Sequence, residues 1–290
     1  MSGHRHGVRN GRRWPLMTVL LLLVSSAPVS GQWIQPQGTG WLDLTVSHLD
    51  TRDQFWVDGS QRRMANDGHA VTSSLFLTSA VGVVRGLDVW LQLPFHRLRF
   101  DDFTGERLRT GVGDPLLHVR VGPELVGLPA VPVALRGGVK WPAGDLEVDA
   151  EVIPLGDGQW DGELLLEVGR SFYPRSIWAM AWAGYRWRGP NELKARDPGN
   201  EEFWYAAVGG DVRGVGWKGA LEGLRGDPWI LHGISIPSAR RELTQLLVTL
   251  DHAAGPGRAG LGLRHPIQGR NLPVGTALTL HYFVRWGMSP

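Results

Sequence analysis

The chain has 290 residues, 42% of them hydrophobic and 20% charged, with a formal net charge of +2 and no cysteine. The missing thiols exclude a disulfide framework, a thiol nucleophile and a cysteine-ligated zinc. Arg5, Arg9, Arg12 and Arg13 lie at the extreme N-terminus, so the basic excess does not extend along the chain and gives a nucleic-acid-binding role no support.

Those arginines have no acidic residue among them, and an apolar run follows from Leu16 to Val24. Val29 and Gly31 then stand at the −3 and −1 positions of a small-residue exit. This pattern predicts a cleaved secretory signal peptide over residues 1–31 and one domain over 32–290. The apolar run is about half the roughly 20 residues of a spanning helix, which argues against a membrane anchor. Losing the four arginines takes the net charge from +2 to −2. Beyond Gly31 no apolar segment approaches helical membrane-spanning length, and a closed β-barrel is the remaining way to span.

Period-2 alternation recurs down the chain. It appears first at Leu42, Leu44 and Val46. In 87–95, Leu87, Val89, Leu91, Leu93 and Phe95 alternate with Asp88, Trp90, Gln92 and Pro94. Leu117, Val119 and Val121 are opposed by His118 and Arg120. Trp160, Leu164, Leu166 and Val168 alternate with Asp161, Glu163, Leu165 and Glu167, and the series ends on Leu278 to Trp286. Strands are expected at 40–52, 68–83, 87–100, 112–122, 130–140, 159–170, 175–188, 202–212, 216–226, 240–252, 258–267 and 275–287. Most of these runs meet or exceed the roughly 9–11 residues of a tilted membrane strand.

The connections alternate long and short. Long ones fall at 53–67, 101–111, 141–158, 189–201 and 227–239, with a shorter one at 268–274. Short ones fall near 84–86, 123–129, 171–174, 213–215 and 253–257. Long extracellular loops and short periplasmic turns belong to a transmembrane antiparallel up-and-down β-barrel of about twelve strands in the outer membrane, with periplasmic termini. A soluble sandwich or lipocalin-like barrel would bury its apolar face around a dry core. Here the face opposite the apolar one carries mid-strand ionisable residues. Trp141, Trp160, Trp187, Tyr205, Trp217 and Trp286 are expected to form an interfacial girdle at strand ends.

Three segments occur in a suggestive order: Gly111-Val-Gly-Asp114, Lys140-Trp-Pro-Ala-Gly144 and Gly156-Asp-Gly-Gln-Trp-Asp161. Together they resemble the outer-membrane family named for the meta-pathway of phenol degradation, over residues 40–290. The resemblance implies a barrel that admits small hydrophobic or aromatic compounds, embedded in the lipid bilayer by the barrel-assembly machinery. One departure is that Trp286 is followed by Gly-Met-Ser-Pro rather than closing the chain on an aromatic residue.

Neither Gly-x-Ser-x-Gly nor His-Glu-x-x-His occurs, and no residue cluster has metal-ligand spacing, so the sequence points to no enzyme, metal or cofactor. A rim acid–base pair near His48 and His69, with Ser47, Asp50 and Asp53 beside them, is the alternative that would make the barrel a hydrolase. Alternation turns Asp43, His118, Arg120, Arg136, Lys140, Asp161, Glu163, Glu167, Lys218, Glu222, Arg264, His281 and Arg285 into the lumen. They are expected to form either a charge-paired plug or a polar constriction that selects solutes. The apolar stretch 227–237 offers Trp229, Ile230 and Ile234 as residues that meet a hydrophobic ligand at the barrel mouth; its other reading is a strand extension above the membrane.

Overall fold

A computed structural model describes residues 34–143, 153–191 and 195–287. The expected signal peptide, and the Met-Ser-Pro tail after Gly287, lie outside the described residues.

Twelve antiparallel strands form one closed barrel. They are β1 (Gly40–Thr51), β2 (His69–Val84), β3 (Leu87–Asp102), β4 (Gly105–Val112 continuing as Leu116–Val121), β5 (Val133–Lys140) and β6 (Asp161–Ser171). The second half comprises β7 (Ile177–Arg188), β8 (Glu201–Val212), β9 (Val215–Gly226), β10 (Glu242–Ala254), β11 (Gly257–Arg270) and β12 (Ala277–Trp286). Each strand pairs with its sequence neighbours. Closure comes from β1 on β12, in register from Gly40 opposite Trp286 to His48 opposite Leu278. Every strand edge is thereby paired, which lets a cysteine-free sheet cross a bilayer.

The alternation reads as predicted. Leu44, Val46, Leu75, Leu77, Leu93, Phe95, Leu164, Leu166, Leu261, Leu263, Leu278 and Leu280 all point outward and are exposed. An apolar exterior on a closed barrel is the surface a bilayer solvates. Among the described residues no helix is long and apolar enough to cross a membrane.

The periplasmic turns are tight. Arg213 and Gly214, with φ of 55° and 83°, make the two-residue link between β8 and β9, the left-handed pair that matches strand twist. The link 122–132 is longer than expected because Pro123–Val126 forms a 3₁₀ turn and β5 begins only at Val133, after Pro129 and Pro132.

The largest correction concerns 101–111, which is not a loop. β3 runs to Asp102 and β4 begins at Gly105, so only Phe103 and Thr104 turn the chain. Outward Arg97, Arg99, Asp101 and Glu106 hid these strand ends, since above the lipid the outer face meets water and loses its apolar marker. β4 breaks at Gly113-Asp-Pro115, and Leu116–Val121 resumes against the start of β3. Four expected loops also carry strands. Asp53–Phe55, Gln61–Arg63 and Leu272–Val274 make one small sheet, and Arg196–Asp197, Trp229–Leu231 and Ile234–Ile236 make another.

Candidate functional site

The lumen has two unlike halves. Along β3 to β8 the inward side chains are charged and interlocked. Arg120 and Arg136 are direct cross-strand partners, a repulsive pairing if left alone. Glu167 on β6 resolves it by pairing with both, at 3.2 and 3.0 Å, while Asp88 takes the other side of Arg120 at 2.6 Å. The Trp90 ring lies 4.7 Å from the Arg120 guanidinium. Asp88 also accepts the backbone N–H of Gln35 at 2.8 Å, which ties the segment before β1 to the wall.

Nearer the extracellular side His118 meets Glu163 across Gly138, where a Cβ would clash with both side chains. Glu163 pairs with Arg186 at 2.9 Å, and Arg186 with Glu201 at 3.0 Å. Glu201 also holds Arg188 and Arg241. Lys140 reaches Asp161 at 2.7 Å and Asp157 at 2.5 Å.

The three segments that carried the family resemblance converge here. Asp114 accepts the backbone N–H of Asp157 at 2.7 Å and of Ala143 at 3.3 Å, and Lys140 lies 3.6 Å from it. Gly156 packs its bare α-carbon on the Asp114 carboxylate. The connection before β6 is thus drawn onto the end of the charged wall. Burial opposes ionisation of Asp157, but Lys140 and Arg188 outweigh it and hold this carboxyl well below the usual carboxylate range.

The other half, β9 to β12 with β1, carries Asp43, Lys218, Glu222, Arg264, His281 and Arg285. Two of its carboxylates take neutral donors: Thr45 Oγ1 donates to Asp43 at 2.5 Å, and Gln245 Nε2 donates to Glu222, whereas Asp251 pairs with Arg258. This half opens, with β2 and β7, into a cavity of 660 Å³ at the periplasmic end, lined by Trp41, Trp178 and Phe283 and by the charged Asp43, Lys218, Asp251, Arg258 and Arg285.

Thus His118, Arg120, Arg136, Lys140, Asp161, Glu163 and Glu167 join the paired wall, and the remaining six stand in the open half. Alternation also put Asp88 and Trp90 on the lumen face, although neither stood among the expected site residues. Arg186, Arg188, Glu201 and Asp157 were missed: Arg188 and Glu201 lie at strand ends, where periodicity runs out, and Asp157 lies in a connection. Tyr205 corrects the girdle, since it faces inward and stacks on Trp182 at 5.3 Å. Trp160, Trp187 and Trp286 are exposed at strand ends, as a girdle requires.

Trp229, Ile230 and Ile234 sit in the extracellular hairpin, which pairs with Arg196–Asp197, and none lines the cavity. The Arg196 guanidinium lies 5.0 Å from the Trp229 ring.

Of the rim histidines, His69 meets the expected Asp50, and His48 takes a serine other than the one expected. His48 Nδ1 lies 2.9 Å from Ser73 Oγ on β2, not near Ser47, which alternation turns to the opposite face. His69 Nε2 lies 2.7 Å from Asp50. Ser74 lies 2.8 Å from His96 Nδ1. Among the described residues neither Ser–His pair has a carboxylate hydrogen-bonded to the second ring nitrogen, and Ser74 is buried.

No protein-family model matches the sequence, and no curated protein matches it. Solved structures do. An outer membrane channel from Pseudomonas putida F1 superposes with a TM-score of 0.72 at 17% identity, covering 90% of this chain and all of that one. The β domain of the Bordetella autotransporter BrkA matches with a TM-score of 0.50 at 12% identity, covering 87% of this chain and all of the other. This chain is an outer-membrane β-barrel. At these identities the likeness is one of fold. The exposed apolar girth of this barrel is the surface embedded in the bilayer.

Proposed function

We propose that the barrel is a passive channel for small hydrophobic or aromatic molecules, exported by a cleaved signal peptide over residues 1–31, inserted by the barrel-assembly machinery and performing no catalysis. The observation that carries this reading is the division of the lumen. One wall satisfies its charges internally, leaving a cavity of 660 Å³ along the other, lined by aromatic and charged side chains. The Pseudomonas putida F1 barrel of similar fold is described as an outer membrane channel, which supports the reading. Ile230 and Ile234, exposed on the extracellular hairpin, with Trp229 beside them, provide the first apolar contact for a solute at the mouth.

The incomplete Ser–His pairs support the non-enzymatic reading, because nucleophilic catalysis needs an oriented base and an accessible nucleophile. A second reading has its own observation: the connection carrying Gly156 and Asp157 lies on the charged wall, as a plug would. Planar-bilayer recording from the refolded full chain separates the two. Discrete conductance steps support the channel, and a silent, heat-modifiable, folded barrel supports the plug. Alanine at Trp229, Ile230 and Ile234 together is expected to slow uptake of a hydrophobic solute into proteoliposomes. Unchanged uptake would remove the hairpin from the pathway.

A further inference from the structure

The open half of the lumen holds an ammonium without a counterion. Lys218 on β9 points inward, and among the described residues it has no carboxylate within 4.0 Å and makes no hydrogen bond. Asp43, Glu222 and Asp251 are its acidic neighbours, but they accept from Thr45, Gln245 and Arg258 instead. Every cation named on the opposite wall is matched to an acid. A half-enclosed ammonium left unmatched is costly, and an anion that enters the cavity relieves the cost.

The surroundings define the rest of that anion. Lys218 is the cross-strand partner of Gly209. Gly209 has no side chain, and the Trp178 indole lies over its backbone, so close that a Cβ there would come within 2.4 Å of the ring. An aromatic face and an unmatched ammonium therefore flank the same stretch of wall. Phe283 and Trp41 line the same cavity, their rings 5.7 Å apart. The volume falls within the range of small-molecule sites.

We infer that this cavity binds a small aromatic carboxylate, its carboxylate on the Lys218 Nζ and its ring against Trp178. The inference rests on the channel reading and narrows its substrate class from neutral hydrophobic compounds to aromatic acids. The geometry favours it over a hydrocarbon, because a neutral solute would fill the apolar wall and leave Lys218 as it is.

The test is calorimetric titration of the refolded full chain in detergent with benzoate, benzyl alcohol and acetate. Benzoate is expected to bind about tenfold or more tightly than either of the others. Lys218→Met is expected to abolish that preference, and Lys218→Arg to retain it. A heat-modifiable gel band establishes that each variant is folded. Equal affinity for benzoate and benzyl alcohol, or an unaltered benzoate affinity in folded Lys218→Met, would overturn the inference. Conductance of the unmodified chain is recorded on the same preparation. Silence with selective benzoate binding overturns the channel and leaves the site; conductance without selective binding overturns the site and leaves the channel.

Discussion

Gly156 presses its bare α-carbon against the Asp114 carboxylate, and a Cβ at 156 would stand 2.1 Å from the nearest Asp114 oxygen. The contact joins two segments far apart in sequence, and Lys140 completes the junction. Gly156→Ala must push the connection off the wall or displace Asp114 from the Asp157 N–H. A destabilisation of about 1–3 kcal/mol is expected, as for overpacking elsewhere. The midpoint of the heat-modifiable transition on gels measures it, and an unmoved midpoint would show that the junction yields freely.

Glu167 is the residue that allows Arg120 and Arg136 to face each other. In Glu167→Gln the two guanidinium groups lose their shared counterion in a buried site, and a loss of about 3–5 kcal/mol is expected. Adding Arg136→Met should recover much of it by removing the repulsion. Urea unfolding in micelles, followed by tryptophan fluorescence, reads both. Failure of the double variant to recover would mean that the repulsion is not the cause.

The closure seam makes a separate demand. Gly40 stands opposite Trp286, whose ring covers it, and a Cβ at 40 would lie 2.4 Å from both the ring and the Ala80 carbonyl oxygen. Gly40→Val is expected to prevent β1 and β12 from pairing, and the heat-modifiable form should be lost. Gly219→Ala, at a position with open space around its α-carbon, serves as the tolerated control.

Asp157 gives the barrel an acid-sensitive element. Its carboxyl sits below the ordinary value of 3.8 in the folded protein. Its stabilising contribution is therefore complete above that value and declines as pH falls below it toward the depressed folded value. Between pH ~5 and ~2.5 the thermal midpoint should fall further for the unmodified chain than for Asp157→Asn, which has already lost the ion pairs to Lys140 and Arg188. Parallel curves would assign the acid response to other carboxylates.

Much of this fold was legible because a membrane barrel writes itself as period 2. Leu164 and Leu166 face lipid while Glu163 and Glu167 face the lumen, and no other closed sheet needs that contrast. The alternation failed at Arg99 and Glu106, where the strands rise beyond lipid into water on both faces. Tyr205 was misplaced because its residue type suggested an interfacial anchor, whereas alternation with outward Trp204 and Val208 turns it inward.

The sequence by itself determined the strand number, the inward and outward faces and hence the membrane as surroundings, since each follows from local alternation and turn chemistry. Tertiary structure alone decided which charges meet. Arg120 and Lys218 look alike in the sequence, each an inward cation on a membrane strand. Barrel closure brings Asp88 and Glu167 onto the first and sets the second beside bare Gly209 under the Trp178 ring. That difference depends on register between strands remote in the chain, and no local pattern encodes it.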